Sequence, residues 1–143
     1  MPHQALTILW CIYRKRPPCR SRLNRLIPQR FVDNDCLLCG AIKNDEHFLR
    51  SSPLKQPAWE RFLPRFLPRR FTFNFRTISL PPSTTLKLLP CWSFDLHAFI
   101  ACRTLILWRF CWKFVFDDIV FWPSKVTART PLMLRHIGKE NGL

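Results

Sequence analysis

Thirteen prolines and only three glycines are spread over 143 residues, and that imbalance limits what the chain can fold into. A proline removes a backbone donor and clashes with the turn before it, so a helix stops or kinks where one falls. Scarce glycine leaves few left-handed turns. The expected architecture is mainly α: a small, irregular helical domain whose pieces are joined by stiff connectors. Pro17-Pro18 ends an apolar run over Ala5–Tyr13 that reads as a helix or a buried strand. Ser21 is placed to cap a helix over Arg22–Ile27, which Pro28 ends. Trp59, Phe62, Leu63 and Phe66 recur at helical spacing, interrupted by Pro64 and Pro68. Residues 71–92 read as a linker, with an alternating Phe71–Phe75 strand candidate and a Pro81-Pro82 loop.

The longest expected element is an apolar helix over about 95–116, with Ser93 as its cap. Arg103, Arg109 and Lys113 argue against a membrane span, since each basic side chain costs about 2.5–3.5 kcal/mol at a helix centre. Arg109 and Lys113 share a face with Asp95 and Cys102, which reads as a narrow polar stripe on a core helix. At its end, Val115-Phe116-Asp117-Asp118 invites comparison with the aromatic-x-Asp-Asp turn of two-metal polymerases. The aromatic position holds Val115 and no third carboxylate is placed nearby, so the stretch reads as a helix terminus. The length suits one domain, because typical domains hold about 100–200 residues. Residues 1–118 form that unit and 119–143 a C-terminal tail.

A formal charge of +14 predicts attraction to polyanions, RNA or DNA before anionic surfaces. The first 30 residues contain no acid. Arg14, Lys15, Arg16, Arg20, Arg22 and Arg25 are the candidates for phosphate contact, and the planar fork of arginine suits that partner. A hydrophobic share of 48% and an aromatic share of 14% argue against wholesale disorder. Glycines at 40, 138 and 142 alone exclude a glycine-rich phosphate loop.

The seven cysteines include a pair, Cys36 and Cys39, with Gly40 next. Two thiols at this spacing can face one tetrahedral ion, and His47 can supply a third ligand after a seven-residue connection. Ala5–Tyr13 has no charged segment before it and a basic cluster behind it, the wrong order for a secretory signal. A reduced intracellular setting, the nucleus included, is therefore expected, and there Cys36 and Cys39 are metal ligands or free thiols. A redox Cys-x-x-Cys is disfavoured, because turn-like Asp33-Asn34-Asp35 precedes it and no βαβ pattern surrounds it. Cys91, Cys102 and Cys111 stand among apolar residues and read as inert thiols.

Taken together, Cys36-Leu37-Leu38-Cys39-Gly40, His47-Phe48-Leu49, Ser52-Pro53 and Trp59 resemble the reverse-transcriptase zinc-binding domain of non-LTR (LINE-type) retrotransposons. That family carries a Cys-x-x-Cys-Gly, a His with a Cys-Pro downstream, and then a Trp. Trp10 and Arg22-Leu23-Asn24-Arg25-Leu26 are similar to its upstream approach. Leu107-Trp108-Arg109-Phe110-Cys111-Trp112 with Phe116 is similar to its closing helix. The resemblance implies a zinc-knuckle-like hairpin over 36–53, with Zn2+ held by Cys36, Cys39 and His47. The chain departs from the pattern at the fourth ligand position, where Ser52 replaces Cys. Asp45, Glu46 or Cys19 can take that place, or the knuckle has decayed. The chain is too short for a polymerase, so the implied role is a non-catalytic accessory module, not an enzyme. Its implied partners are RNA or DNA, or a reverse-transcriptase domain, with no membrane and no small-molecule substrate. Two alternatives stand beside it: a protein-interaction module docking through its aromatic helix, and an inactive remnant of a decayed mobile element.

Overall fold

Local patterning gives five α-helices among the described residues, 3–67 and 96–140 of the computed structural model. They are α1 (His3–Tyr13), α2 (Arg20–Leu26), α3 (Gln56–Phe62), α4 (Leu96–Asp117) and α5 (Pro123–Glu140). A π-helical turn covers His47–Ser51, and a 3-10 turn over Leu63–Arg65 continues α3. The chain is mainly α. Among the described residues the extended structure is one isolated antiparallel bridge between Asp35 and Ile42. The expectations for Phe71–Phe75, the Pro81-Pro82 loop, Cys91, Ser93 and Asp95 lie outside the described residues.

The choice left open for Ala5–Tyr13 resolves to helix. In α1, Ala5, Ile8, Leu9 and Ile12 are buried, and their i, i+3, i+4, i+7 spacing puts them on one stripe. α2 buries no side chain. It begins two residues earlier than its sequence suggested: Cys19 is the N-cap, makes no side-chain cap bond, and Ser21 lies inside the helix. The Ser21 hydroxyl sits instead 3.3 Å from Cys19 Sγ, so it is not available to cap.

α4 is the axis of the core, with α1 and α5 against it and α3 against α5. From Leu96 to Leu107 every side chain but His97 is buried. A helix buried all round needs apolar residues on every side, and this half supplies them. Beyond Leu107 the helix emerges, and Arg109 and Lys113 are exposed. The polar stripe therefore does not run the length of the helix. Cys102, read as part of it, is fully buried because neighbours enclose that half. Phe62 stacks on Phe99 with ring centroids 5.8 Å apart, and Phe66 closes the cluster at 4.8 Å from Phe99. Among the described residues, no helix is long and apolar enough to cross a membrane.

The tail expected over 119–143 is largely α5 instead. Pro123 opens it, where a missing N–H costs nothing. Val126, Thr130 and Leu134 are buried four residues apart along it. Pro131 inside the helix removes one backbone bond, and a stripe of two apolar residues and a threonine is thin; both mask the helix in the sequence. Between α4 and α5 the chain turns at Asp118, whose φ of 52° is a left-handed conformation that Asp tolerates.

The polar surprise of the core is Arg103, fully buried on α4. Its Nη1 donates to Val126 O at 2.9 Å and to Thr130 Oγ1 at 2.6 Å, and Nη2 donates to Ala58 O. The guanidinium also lies 4.7 Å from the Phe62 ring centroid and 5.5 Å from that of Trp59. Burial pushes its pKa down to about 9, so it stays charged at neutral pH. One cation thus ties α3, α4 and α5 together with oxygens and π faces.

Candidate metal centre

The segment from Asn34 to Lys43 folds back on itself as a tight hairpin. Cys36 N donates to Ala41 O at 2.7 Å and Lys43 N to Asn34 O at 2.8 Å. At the tip, Cys39 N and Gly40 N both donate to Cys36 O, at 3.1 and 2.7 Å. Gly40 has a φ of +73°, a left-handed conformation that favours glycine. This reversal turns both thiols toward His47, and the ligand atoms of Cys36, Cys39 and His47 lie within 4.8 Å of one another. Cys39 Sγ is 3.2 Å from His47 Nε2.

His47 is aimed by what precedes it. Asn44 Oδ1 accepts the His47 N–H at 2.8 Å, which satisfies an amide of the opening turn. The π-turn that follows buries His47, Phe48 and Leu49 together. Its free carbonyls are taken by side chains from the next segment: Lys55 Nζ donates to Phe48 O at 2.6 Å and Trp59 Nε1 to Leu49 O at 2.9 Å. Ser52 ends the turn. Its carbonyl accepts Lys55 N and Gln56 N, while its buried hydroxyl has no hydrogen-bond partner among the described residues.

The donor set fits zinc, which takes thiolate sulfur and imidazole nitrogen in tetrahedral sites. Three such atoms converge, and one buried hydroxyl in the same segment is unspent. The other residues weighed for the fourth position are not in the cluster. Cys19 Sγ and Asp45 Oδ1 are 3.1 Å apart, committed to each other, with Arg22 3.5 Å from the second Asp45 oxygen. Glu46 is exposed.

Two lysines give the site its electrostatics. Lys43 and Lys55 are both buried, and their ammonium groups approach the Phe48 ring at 5.6 and 5.0 Å. Burial pushes Lys55 down to about 8, and the thiols of Cys111, Cys36 and Cys39 pull the other way. Burial raises the Cys36 thiol, opposed by the Leu38 amide and the two lysines. Burial lowers the His47 imidazole, and Lys55 and Lys43 lower it further. His47 is therefore biased toward the neutral form that ligates, while Cys36 must give up a proton to do so.

No family model matches the chain, and neither a curated protein nor a solved structure matches it. The centre stands on its own geometry.

The basic residues divide into two sets. Arg14, Lys15, Arg16 and Arg25 are exposed. Arg20 is paired with Asp33 at 2.8 Å, and Arg22 donates to Lys15 O at 2.6 Å besides its contact with Asp45. Arg14 also lies over Trp10, 4.4 Å from the ring centroid. Sequence reasoning missed Lys43 and Lys55 altogether, since nothing local distinguishes a buried lysine from a solvated one. It also placed Cys111 among apolar side chains, whereas Lys43 Nζ donates to Cys111 Sγ at 2.9 Å.

Proposed function

We propose that the chain is a non-catalytic zinc-binding accessory module, similar to the reverse-transcriptase zinc-binding domain, that holds nucleic acid through phosphates. The observation that carries the reading is the convergence of the Cys36, Cys39 and His47 ligand atoms within 4.8 Å. Bound zinc would supply a structural cross-link between the hairpin and the π-turn. Cys36 and Cys39 contribute sulfur, His47 contributes nitrogen, and Ser52 stands at the fourth position of the resembling pattern. Phosphate contact is assigned to the exposed set Arg14, Lys15, Arg16 and Arg25, with Arg20 and Arg22 held nearby by their acids.

The test is the metal content of the purified chain beside Ser52→Cys, with cobalt substitution to report thiolate ligation. Stoichiometric metal in the wild type supports the reading. Metal in Ser52→Cys alone makes the chain an inactive remnant of such a module, and metal in neither removes the assignment. For the phosphate part, affinity for a nucleic acid should fall with salt, and Arg25→Ala should reduce the salt slope by about one unit. An affinity unchanged by salt would favour a second reading, docking of a protein partner. That reading draws on the apolar end of α4 and the turn after it, where Phe116, Ile119, Val120 and Trp122 are all exposed.

A further inference from the structure

Outside the three-ligand cluster, the structure holds a second pair of nucleophiles that the metal reading does not use. Lys43 leaves the hairpin and meets Cys111 on α4, a residue 68 positions away. The Nζ–Sγ separation is 2.9 Å. Both side chains are buried, Cys111 completely. Around the ammonium lie two rings, Phe48 at 5.6 Å and Trp112 at 5.5 Å, and its charge also reaches Lys55, Cys36 and His47. Lys55, the other buried amine of the region, is held by Phe48 O instead. Lys43 Nζ and Cys111 Sγ are thus each other's polar partner among the described residues.

Such a pair is chemically more than a hydrogen bond. Peroxide oxidises a cysteine sulfur to sulfenic acid. A sulfenic acid formed at Cys111 would place its oxygen against an amine that cannot leave. The separation is one that a single bridging atom spans with little movement. A direct sulfur–nitrogen bond would require the two side chains to close much of that gap.

We propose that Lys43 and Cys111 are a modification site, joined under peroxide by a covalent Sγ–O–Nζ bridge that locks the hairpin to α4. In the first step hydrogen peroxide transfers one oxygen to the thiol, giving the sulfenic acid and one water. In the second, another peroxide takes two electrons from the sulfenic acid and amine. The N–O bond forms, one N–H and one O–H are lost, and two waters leave. A thiol reductant reverses both steps and restores the two side chains. The oxidant is small, and it reaches buried thiols through local opening; the ring beside the amine, Trp112, is only half-buried.

The test uses the full chain, treated with hydrogen peroxide, alkylated, digested with trypsin and mapped by mass spectrometry without reduction. A bridge at Lys43 blocks cleavage there, so the expected product joins Phe31–Arg50 to Phe110–Lys113. Its mass should exceed the sum of the two peptides by about 14 Da, one oxygen gained and two hydrogens lost. Dithiothreitol should abolish it, and Lys43→Arg should prevent it while leaving Cys111 oxidisable. Four results would overturn the proposal: Phe31–Lys43 joined to Phe110–Lys113 about 2 Da below their sum, which is a disulfide to Cys36 or Cys39; a link at Lys55; a link that survives Lys43→Arg; or Cys111 recovered only as thiol, sulfinic or sulfonic acid. The wild-type map decides by itself, so a Lys43→Arg chain that fails to fold does not shelter the idea.

Discussion

The helical core and the hairpin both bury positive charge, and they settle it differently. Around Arg103 the cation meets oxygens: the carbonyls of Ala58 and Val126 and the hydroxyl of Thr130. Around Lys43 it meets a sulfur and two rings, and around Lys55 a single carbonyl and a ring. A planar guanidinium has five donors in a fixed fork and can stitch three elements at once; an ammonium is a compact point charge that is costly to strip of water. The core cation is thus held by the chain's own acceptors, although its Nε has no hydrogen-bond partner among the described residues. The hairpin keeps soft donors close together and leaves Ser52 Oγ without a partner among the described residues. A region finished by its own contacts should be sensitive to mutation and indifferent to ligands, and the hairpin should show the reverse.

That contrast can be broken at Arg103 first. Arg103→Ala empties a fully buried site and strands the acceptors it served, so a loss of about 3–5 kcal/mol in urea unfolding is expected. Arg103→Met strands the same acceptors but keeps volume and removes the cost of burying charge, so its loss should be smaller than that of Arg103→Ala. A loss below about 1 kcal/mol for Arg103→Ala would mean the three helices hold without it.

The next largest effect concerns Lys55 in the metal-free chain. Its folded pKa of about 8 lies below the ordinary lysine value of 10.5, so the unfolded state binds more protons between those values. Stability from this group therefore rises with pH across that window, by about 3 kcal/mol. Cys36 acts in the opposite sense, because its raised thiol favours the folded state at lower pH and loses that advantage above its unfolded value of 9.0. The difference between wild type and Lys55→Met isolates the lysine, and identical pH slopes in the two would show that Lys55 is solvated. Zinc sharpens the contrast from the other side. At one hundred times its dissociation constant it should stabilise the wild type by about 2.7 kcal/mol, and a chelator should remove that gain. Cys36→Ser should abolish the response while its metal-free melting changes little; an undiminished response would move the metal elsewhere.

How much of this was legible beforehand depends on how local each cause is. α1 stops at Tyr13, shortly before Pro17-Pro18, with left-handed Lys15 closing its end, and the spacing of Trp59, Phe62, Leu63 and Phe66 marks a buried face; the prolines and the spacing are short-range patterns. The Cys36, Cys39 and His47 cluster was legible for the same reason, since Gly40 closes the hairpin within a few residues. The Ser21 cap failed because Cys19 begins α2 and the Ser21 hydroxyl has another neighbour. α5 was hidden by Pro131 and a thin apolar stripe. The buried cations were beyond reach, as the partners that keep them buried lie 45 positions away for Arg103 and Ala58 and 68 for Lys43 and Cys111.

Those separations also set an order of events at the ribosome. The Ala58 carbonyl is synthesised 45 residues before Arg103 reaches it, with the Trp59 ring next in the chain. At about 5–20 residues per second, that is a wait of roughly 2–9 s. During it α3 and the hairpin have emerged with none of α4 to cover them, and Phe62 and Phe66 have no Phe99 to stack on. The nascent chain is most vulnerable to misassociation in that interval, and whatever first occupies the hairpin's donors meets them before the core exists.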